Sequence, residues 1–146
     1  PEIELSIAGG GNDRELITEH INHIDLSDKI TLHGRVPSEE LNNLLAESYA
    51  SILFSNYENL PCVIVEAFAA GVPFISTEVG GVKEIINKER GFLIPVKDEK
   101  ALVNAMSQIL KTHWDKEAIR NYAINTFSYN KIGQEFNSIY TEVIGN

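Results

Sequence analysis

Apolar and polar positions along this chain keep two rhythms. Short apolar or alternating runs recur at Ile3–Ala8, Lys29–His33, Ser51–Phe54, Pro73–Thr77 and Gly91–Val96, and each reads as a strand. Between and after them, apolar residues return every three or four positions, as on a helix face. These stretches are Asp13–Ile24, a helix opened by Pro37, Pro61–Ala70, a short helix after Gly80-Gly81 through Ile86, Asp98 to about Lys111, Trp114–Phe127 and Lys131–Ile144. Ser38 and Asp98 are placed to cap their helices, Leu41, Leu44 and Leu45 form an apolar stripe, and Gly34 and Gly71 act as stops.

Strand and helix alternate through the first two thirds of the sequence. That order predicts an α/β fold, a Rossmann-like and mostly parallel sheet with helices on both faces and right-handed crossovers. One domain over residues 1–146 is the expectation. Ligands of such sheets bind at the carboxyl ends of the strands. The unusual residues fall there: Gly9–Gly11, His33–Pro37, Ser55–Pro61, Thr77–Gly81 and Pro95.

Composition narrows the classes. The chain has 146 residues, 43% hydrophobic and 23% charged, which excludes disorder and collagen-like sequence and leaves room for a proper core. No apolar run approaches the ~20 residues that span a bilayer, so no direct membrane insertion is expected. A net charge of −9 argues against broad electrostatic capture of nucleic acid. An anionic ligand would have to be held by local geometry. The single cysteine, Cys62, excludes an internal disulfide and a multi-cysteine zinc site. The chain opens on Pro1-Glu2-Ile3 without an initiator methionine and reads as a piece of a longer protein.

The densest chemistry lies between Ser55 and Pro73. Glu58 sits in the loop after a strand, and Glu66, eight positions on, lies about five residues into a helix, roughly 7–8 Å along its axis. That spacing suits a nucleoside diphosphate. The helix start presents unpaired N–H groups and a positive dipole end to phosphate. Pro61 cannot donate, which leaves the amides of Cys62 and Val63. A carboxylate one turn further along can accept from both hydroxyls of a ribose. The opposing reading is that Glu66 is a solvated helix residue and Glu58 a loop carboxylate near a helix end. The small and apolar neighbours Val65 and Ala67–Ala70 set the two readings against each other without deciding between them.

Other signals are assigned ordinary roles. His20 and His23 share a wet helix face without a third ligand. His33 is read as a packed strand-end histidine, and Cys62 as a backbone donor rather than a nucleophile. Lys83, Lys88 and Arg90 are read as a solvated basic cluster. Tyr122, Phe127, Tyr129, Phe136 and Tyr140 are read as core or domain-interface packing.

The central segment resembles the Glu-x7-Glu signature of retaining GT-B glycosyltransferases of family four, also called glycosyl transferases group 1. Ser55, Glu58, Pro61, Glu66-Ala67, Ala69, Gly71 and Pro73 match it. Ala8–Gly11, the run His33-Gly34-Arg35-Val36-Pro37-Ser38-Glu39-Glu40-Leu41, Gly80-Gly81 with Glu84–Ile86, and Gly91–Leu93 match further family segments in order. The resemblance covers nearly the whole chain and implies the C-terminal, donor-binding half of the fold. It implies that Glu66 holds the ribose, that Glu58 contacts the donor sugar as the catalytic carboxylate, and that amides near Cys62 and Val63 bind the diphosphate. It further implies that the Val36 backbone reads the nucleobase with Arg35 and Ser38 nearby. Gly10 and Gly11 would let the backbone approach the donor, and Asn59 and Leu60 would line the sugar side, although Asn59 stands where a Gly is usual.

The implied donor is a UDP-sugar first and a GDP-sugar second, bound without a metal cofactor. The implied setting is cytoplasmic, peripheral to the membrane through an N-terminal acceptor domain. That domain, and an initial strand–helix unit whose Arg and Lys neutralise the diphosphate, would lie before Pro1. Each such contact is worth about 1.5–3 kcal/mol, so this piece alone is expected to bind nucleotide weakly and to transfer nothing. The competing expectations are a non-catalytic nucleotide-binding domain and a GT-B relative such as a sugar-nucleotide epimerase.

Overall fold

The structure, a computed structural model, describes residues 3–145. The start of the chain at Pro1 and Glu2 lies outside them. The elements follow in the order β1 (Leu5–Ala8), α1 (Arg14–His23), β2 (Ile30–Gly34), α2 (Ser38–Glu47), β3 (Ser51–Leu53), α3 (Cys62–Ala69), β4 (Phe74–Thr77), α4 (Val82–Ile85), β5 (Gly91–Ile94), α5 (Glu99–Ile109), α6 (Lys116–Phe127) and α7 (Tyr129–Ile144). Every strand and helix read from the periodicity is present. All strand pairings are parallel, as a strand–helix–strand order requires.

The strands pair in two groups, β1 with β2 and β3-β4-β5. The chain correspondingly forms two compact units, divided between Leu44 and Leu45 inside α2. In the first unit, Leu5 to Ile7 pair with Ile30 to Leu32 in step, and then Ala8 pairs with Gly34. His33 is the extra residue of this bulge. It is not left idle, since its Nε2 lies 3.1 Å from Ser6 Oγ. Ile21 of α1 is the buried apolar residue beneath this sheet.

The second unit holds most of the core. The central strand β4 is buried at every position, because α3 and α5 pack against it and a parallel strand lies on each side. Ile64, Ala67 and Phe68 of α3 are fully buried, with Phe74, Ile75, Ile109 and Ile119. Phe68 meets Phe74 and Tyr122 edge-on, at 6.5 and 6.1 Å between ring centroids, a favoured aromatic arrangement. These contacts orient α3 on the sheet and leave its opposite face, with Cys62 and Glu66, exposed.

Several expectations shift on inspection. Ser38 is the first helical residue of α2 rather than its cap, and the first backbone bond of the helix runs from Leu41 N to the Pro37 carbonyl. Trp114 stands before α6, where Asp115 caps by accepting from Ala118 N at 2.9 Å. Its indole is buried and donates to the Ile109 carbonyl at 2.9 Å. Arg90 is not part of a solvated cluster. Its guanidinium lies 3.7 Å over the Tyr122 ring, and its Nε donates to the Ile85 carbonyl. Of the aromatic set, Tyr122 and Phe127 pack together, whereas Tyr129, Phe136 and Tyr140 are exposed and add nothing to the core. No helix among the described residues is long and apolar enough to cross a membrane.

Candidate functional site

The Glu58 loop leaves the end of β3 and enters α3 at Pro61. Pro61 has an extended backbone, with φ −71° and ψ 127°, and no side chain caps the helix. The first amides of α3, those of Cys62 and Val63, therefore have no acceptor inside the helix. Cys62 and Glu66 are exposed, and Val63 is half-buried. Among the described residues the Glu66 side chain makes no hydrogen bond and no ion pair. Its two oxygens are open to a ligand or to water, one helical turn past the free amides.

Glu58 is held much more tightly. Its carboxylate Oε1 accepts from Ser55 Oγ at 2.8 Å. The Ser55 carbonyl accepts from Thr77 Oγ1 at 2.6 Å, and Thr77 is 1% exposed at the end of β4. On the other side the loop rests on Gly80-Gly81. Gly81 N donates to the Asn59 carbonyl at 2.7 Å. Gly80 has φ +50°, and a Cβ there would collide with the Glu58 carbonyl. Only glycine combines that backbone angle with that approach. Asn59 and Leu60 are exposed beside this contact, and so is Tyr57.

The remaining candidates lie in the first unit. Gly9 N donates to the Gly34 carbonyl at 2.7 Å, which closes the glycine turn onto the end of β2. The Arg35 side chain lies across Gly10, where a Cβ would come within 2.7 Å of its Cγ. The space left by the missing side chain at Gly10 is therefore filled by Arg35, while Gly11 has open space around it. Arg35 is exposed and makes no ion pair or hydrogen bond among the described residues. Val36, next to it, is half-buried. Arg14 was not among the sequence candidates. It donates to the Leu32 carbonyl at 3.1 Å and lies against Gly34, so it fixes the turn that carries Arg35. Its place as the first residue of α1, directly after a glycine-rich turn, is the signal that could have found it.

The contacts that hold Glu58 depend on the fold. Ser55, Thr77 and Gly80 fix Glu58, and none of the three was named as a site residue. No cluster of three or more metal-ligating side chains occurs among the described residues. His20 and His23 are exposed on α1.

Comparison with known proteins identifies the family and the fold. The family model described as "Glycosyl transferases group 1" matches residues 1–126. N-acetyl-alpha-D-glucosaminyl L-malate synthase of Bacillus anthracis is 29% identical over 151 residues, covering 98% of this chain and 38% of that protein. An exopolysaccharide phosphotransferase of Streptomyces coelicolor is 31% identical over 153 residues, covering 99% of this chain and 16% of that protein. The chain thus spans well under half the length of these relatives. Sucrose-phosphate synthase from Thermosynechococcus elongatus superposes with a TM-score of 0.79 at 25% identity, over 97% of this chain and 39% of that one. The Anabaena protein HepE, solved in complex with UDP-glucose, superposes with a TM-score of 0.83 at 21% identity, over 97% of this chain and 42% of that one. Parallel sheets flanked by helices match the Rossmann-like domains of GT-B glycosyltransferases. Motif order, fold and the match over residues 1–126 meet in one assignment: the chain belongs to the glycosyl transferases group 1 family.

Proposed function

We propose that this chain is the donor-binding part of a retaining glycosyltransferase that moves a hexosyl unit from a nucleoside diphosphate sugar to a glycan or lipid-linked acceptor. UDP is the first choice of nucleotide and GDP the second. Glu66 accepts from the two ribose hydroxyls. The Cys62 and Val63 amides, with the positive end of α3, bind the diphosphate. Glu58 addresses the donor sugar, with Asn59 and Leu60 beside it. The Val36 backbone and Arg35 take the nucleobase side, and Gly10 and Gly11 the turn nearest the donor. Donor binding needs no metal. The acceptor is held by a preceding domain, and the enzyme works in the cytoplasm, against the membrane where its acceptor is lipid-linked. The chain by itself binds nucleotide weakly and does not catalyse transfer.

The observation that carries this reading is the pairing on one strand–loop–helix unit: an immobilised carboxylate, Glu58, and an unpaired one, Glu66, on either side of an uncapped helix start. A stand-alone nucleotide-binding domain would have no use for the fixed Glu58. The solved HepE complexes with UDP and UDP-glucose favour UDP. The test is product analysis with the full-length protein and a panel of UDP- and GDP-sugars. Transfer with the donor's anomeric configuration kept in the product is expected, and Glu58→Gln is expected to slow it by about two to four orders of magnitude, to a rate that is still measurable. Inverted product, epimerised nucleotide sugar, or a fully active Glu58→Gln variant would overturn the reading.

A further inference from the structure

We propose that Ser55, anchored by Thr77, is a positioning residue for Glu58, and this proposal rests on the reading of Glu58 given above. The backbone ladder between β3 and β4 ends with Leu53 opposite Ser76. One residue further on β4, the Thr77 hydroxyl takes over from the backbone and holds the Ser55 carbonyl at 2.6 Å. A side chain thereby extends the sheet by one rung, past the point where the two chains separate. Ser55 is fixed at its carbonyl, and its hydroxyl spans the turn to Glu58 Oε1 at 2.8 Å. Both distances are those of good O–H···O bonds.

The consequence concerns one carboxylate orientation. A glutamate side chain in a loop has three rotatable bonds and several staggered states. A hydroxyl donor bound to Oε1 selects among them and leaves Oε2 to act on a substrate. Thr77 is 1% exposed, so its hydroxyl is shielded from bulk water. Gly80 and Gly81 hold the backbone of the same loop from the other side. The carboxylate and the peptide that carries it are fixed by separate contacts. Misplacing a reacting group by about 1 Å can cost 10²-fold in rate. The Ser55 bond is the contact that prevents such a displacement of the carboxylate alone.

A double-mutant cycle in the full-length protein tests this, using whichever UDP- or GDP-sugar the wild type turns over fastest. Ser55→Ala is expected to lower kcat about ten- to a hundredfold, with donor KM and the Kd for UDP within about twofold of wild type. Ser55→Thr, which keeps the hydroxyl, restores most of the rate, and Thr77→Val lowers kcat where Thr77→Ser does not. On a Glu58→Gln background, Ser55→Ala costs nothing further, because residues acting through one group are not additive. If Ser55→Ala keeps the wild-type kcat, or lowers it additively with Glu58→Gln, the positioning role is wrong and the reading of Glu58 survives. If Glu58→Gln is itself fully active, or the wild type turns over no sugar nucleotide, the reading fails and this proposal falls with it.

Discussion

Replacing Gly80 by alanine puts a methyl group where the Glu58 loop already lies. Gly80 sits at φ +50°, where an L-residue costs about 1–2 kcal/mol relative to glycine. The added Cβ would meet the Glu58 carbonyl and would lie 2.6 Å from the Asn59 oxygen. Both obstacles are backbone, so neither can rotate aside, and the loop itself must shift. That shift breaks the Gly81 N to Asn59 O bond of 2.7 Å, worth about 1 kcal/mol net. Together these give a loss of about 2–3 kcal/mol, and a fall in Tm on the order of 6–12 °C for a chain of this size. Urea denaturation followed by circular dichroism reads the free energy through the midpoint at constant m. Gly133→Ala supplies the contrast. Gly133 lies within α7 with open space where its Cβ would be, and alanine there should gain about 0.5–1 kcal/mol of helix propensity. A Gly80→Ala protein as stable as wild type, or a Gly133→Ala protein equally damaged, would refute the claim that backbone contact rather than glycine content matters at this turn.

Phe68→Ala should cost about 3–5 kcal/mol, since the ring is fully buried between Phe74 and Tyr122; thermal melts check this, and a loss below about 1 kcal/mol would contradict the packing described for α3. Asp115→Ala removes the acceptor for Ala118 N and should cost about 1 kcal/mol, measured by the same melts, with Asp115→Asn recovering most of it. Arg14→Ala should loosen the turn at Gly34, because the guanidinium bonded to the Leu32 carbonyl is lost. Amide hydrogen exchange at Gly9, which donates across that turn, is expected to accelerate, while exchange in β4 stays unchanged.

Periodicity revealed the elements, because each buries one face and repeats its apolar residues accordingly. It placed the two carboxylates as well, because their spacing and the Pro61–Gly71 frame are local. What it could not reach depends on contacts between distant residues. Gly80 and Glu58 are far apart in sequence, and nothing in either neighbourhood announces that their backbones touch. Thr77 reads as an ordinary strand residue until its hydroxyl is seen on the Ser55 carbonyl. Helix ends were legible where the cap is a side chain, as at Asp98, which accepts from Ala101 N. They were misread at Ser38, which lies one residue inside α2, after a Pro37 that has no side-chain acceptor to offer. Arg90 misled for a similar reason. Its two charged neighbours in the cluster, Lys83 and Lys88, are exposed, but the ring that receives its guanidinium is Tyr122, on α6.

The claim on which the functional account rests is that Glu66 grips the ribose of a nucleoside diphosphate seated at the start of α3. Calorimetric titration of the full-length protein with UDP and with 2′,3′-dideoxy-UDP, on wild type and on Glu66→Ala, tests it directly. The wild type should bind the dideoxy nucleotide at least tenfold more weakly than UDP, and Glu66→Ala should bind both nucleotides alike and weakly. A Glu66→Ala protein that binds UDP as tightly as wild type, or that still distinguishes the two nucleotides, would contradict it.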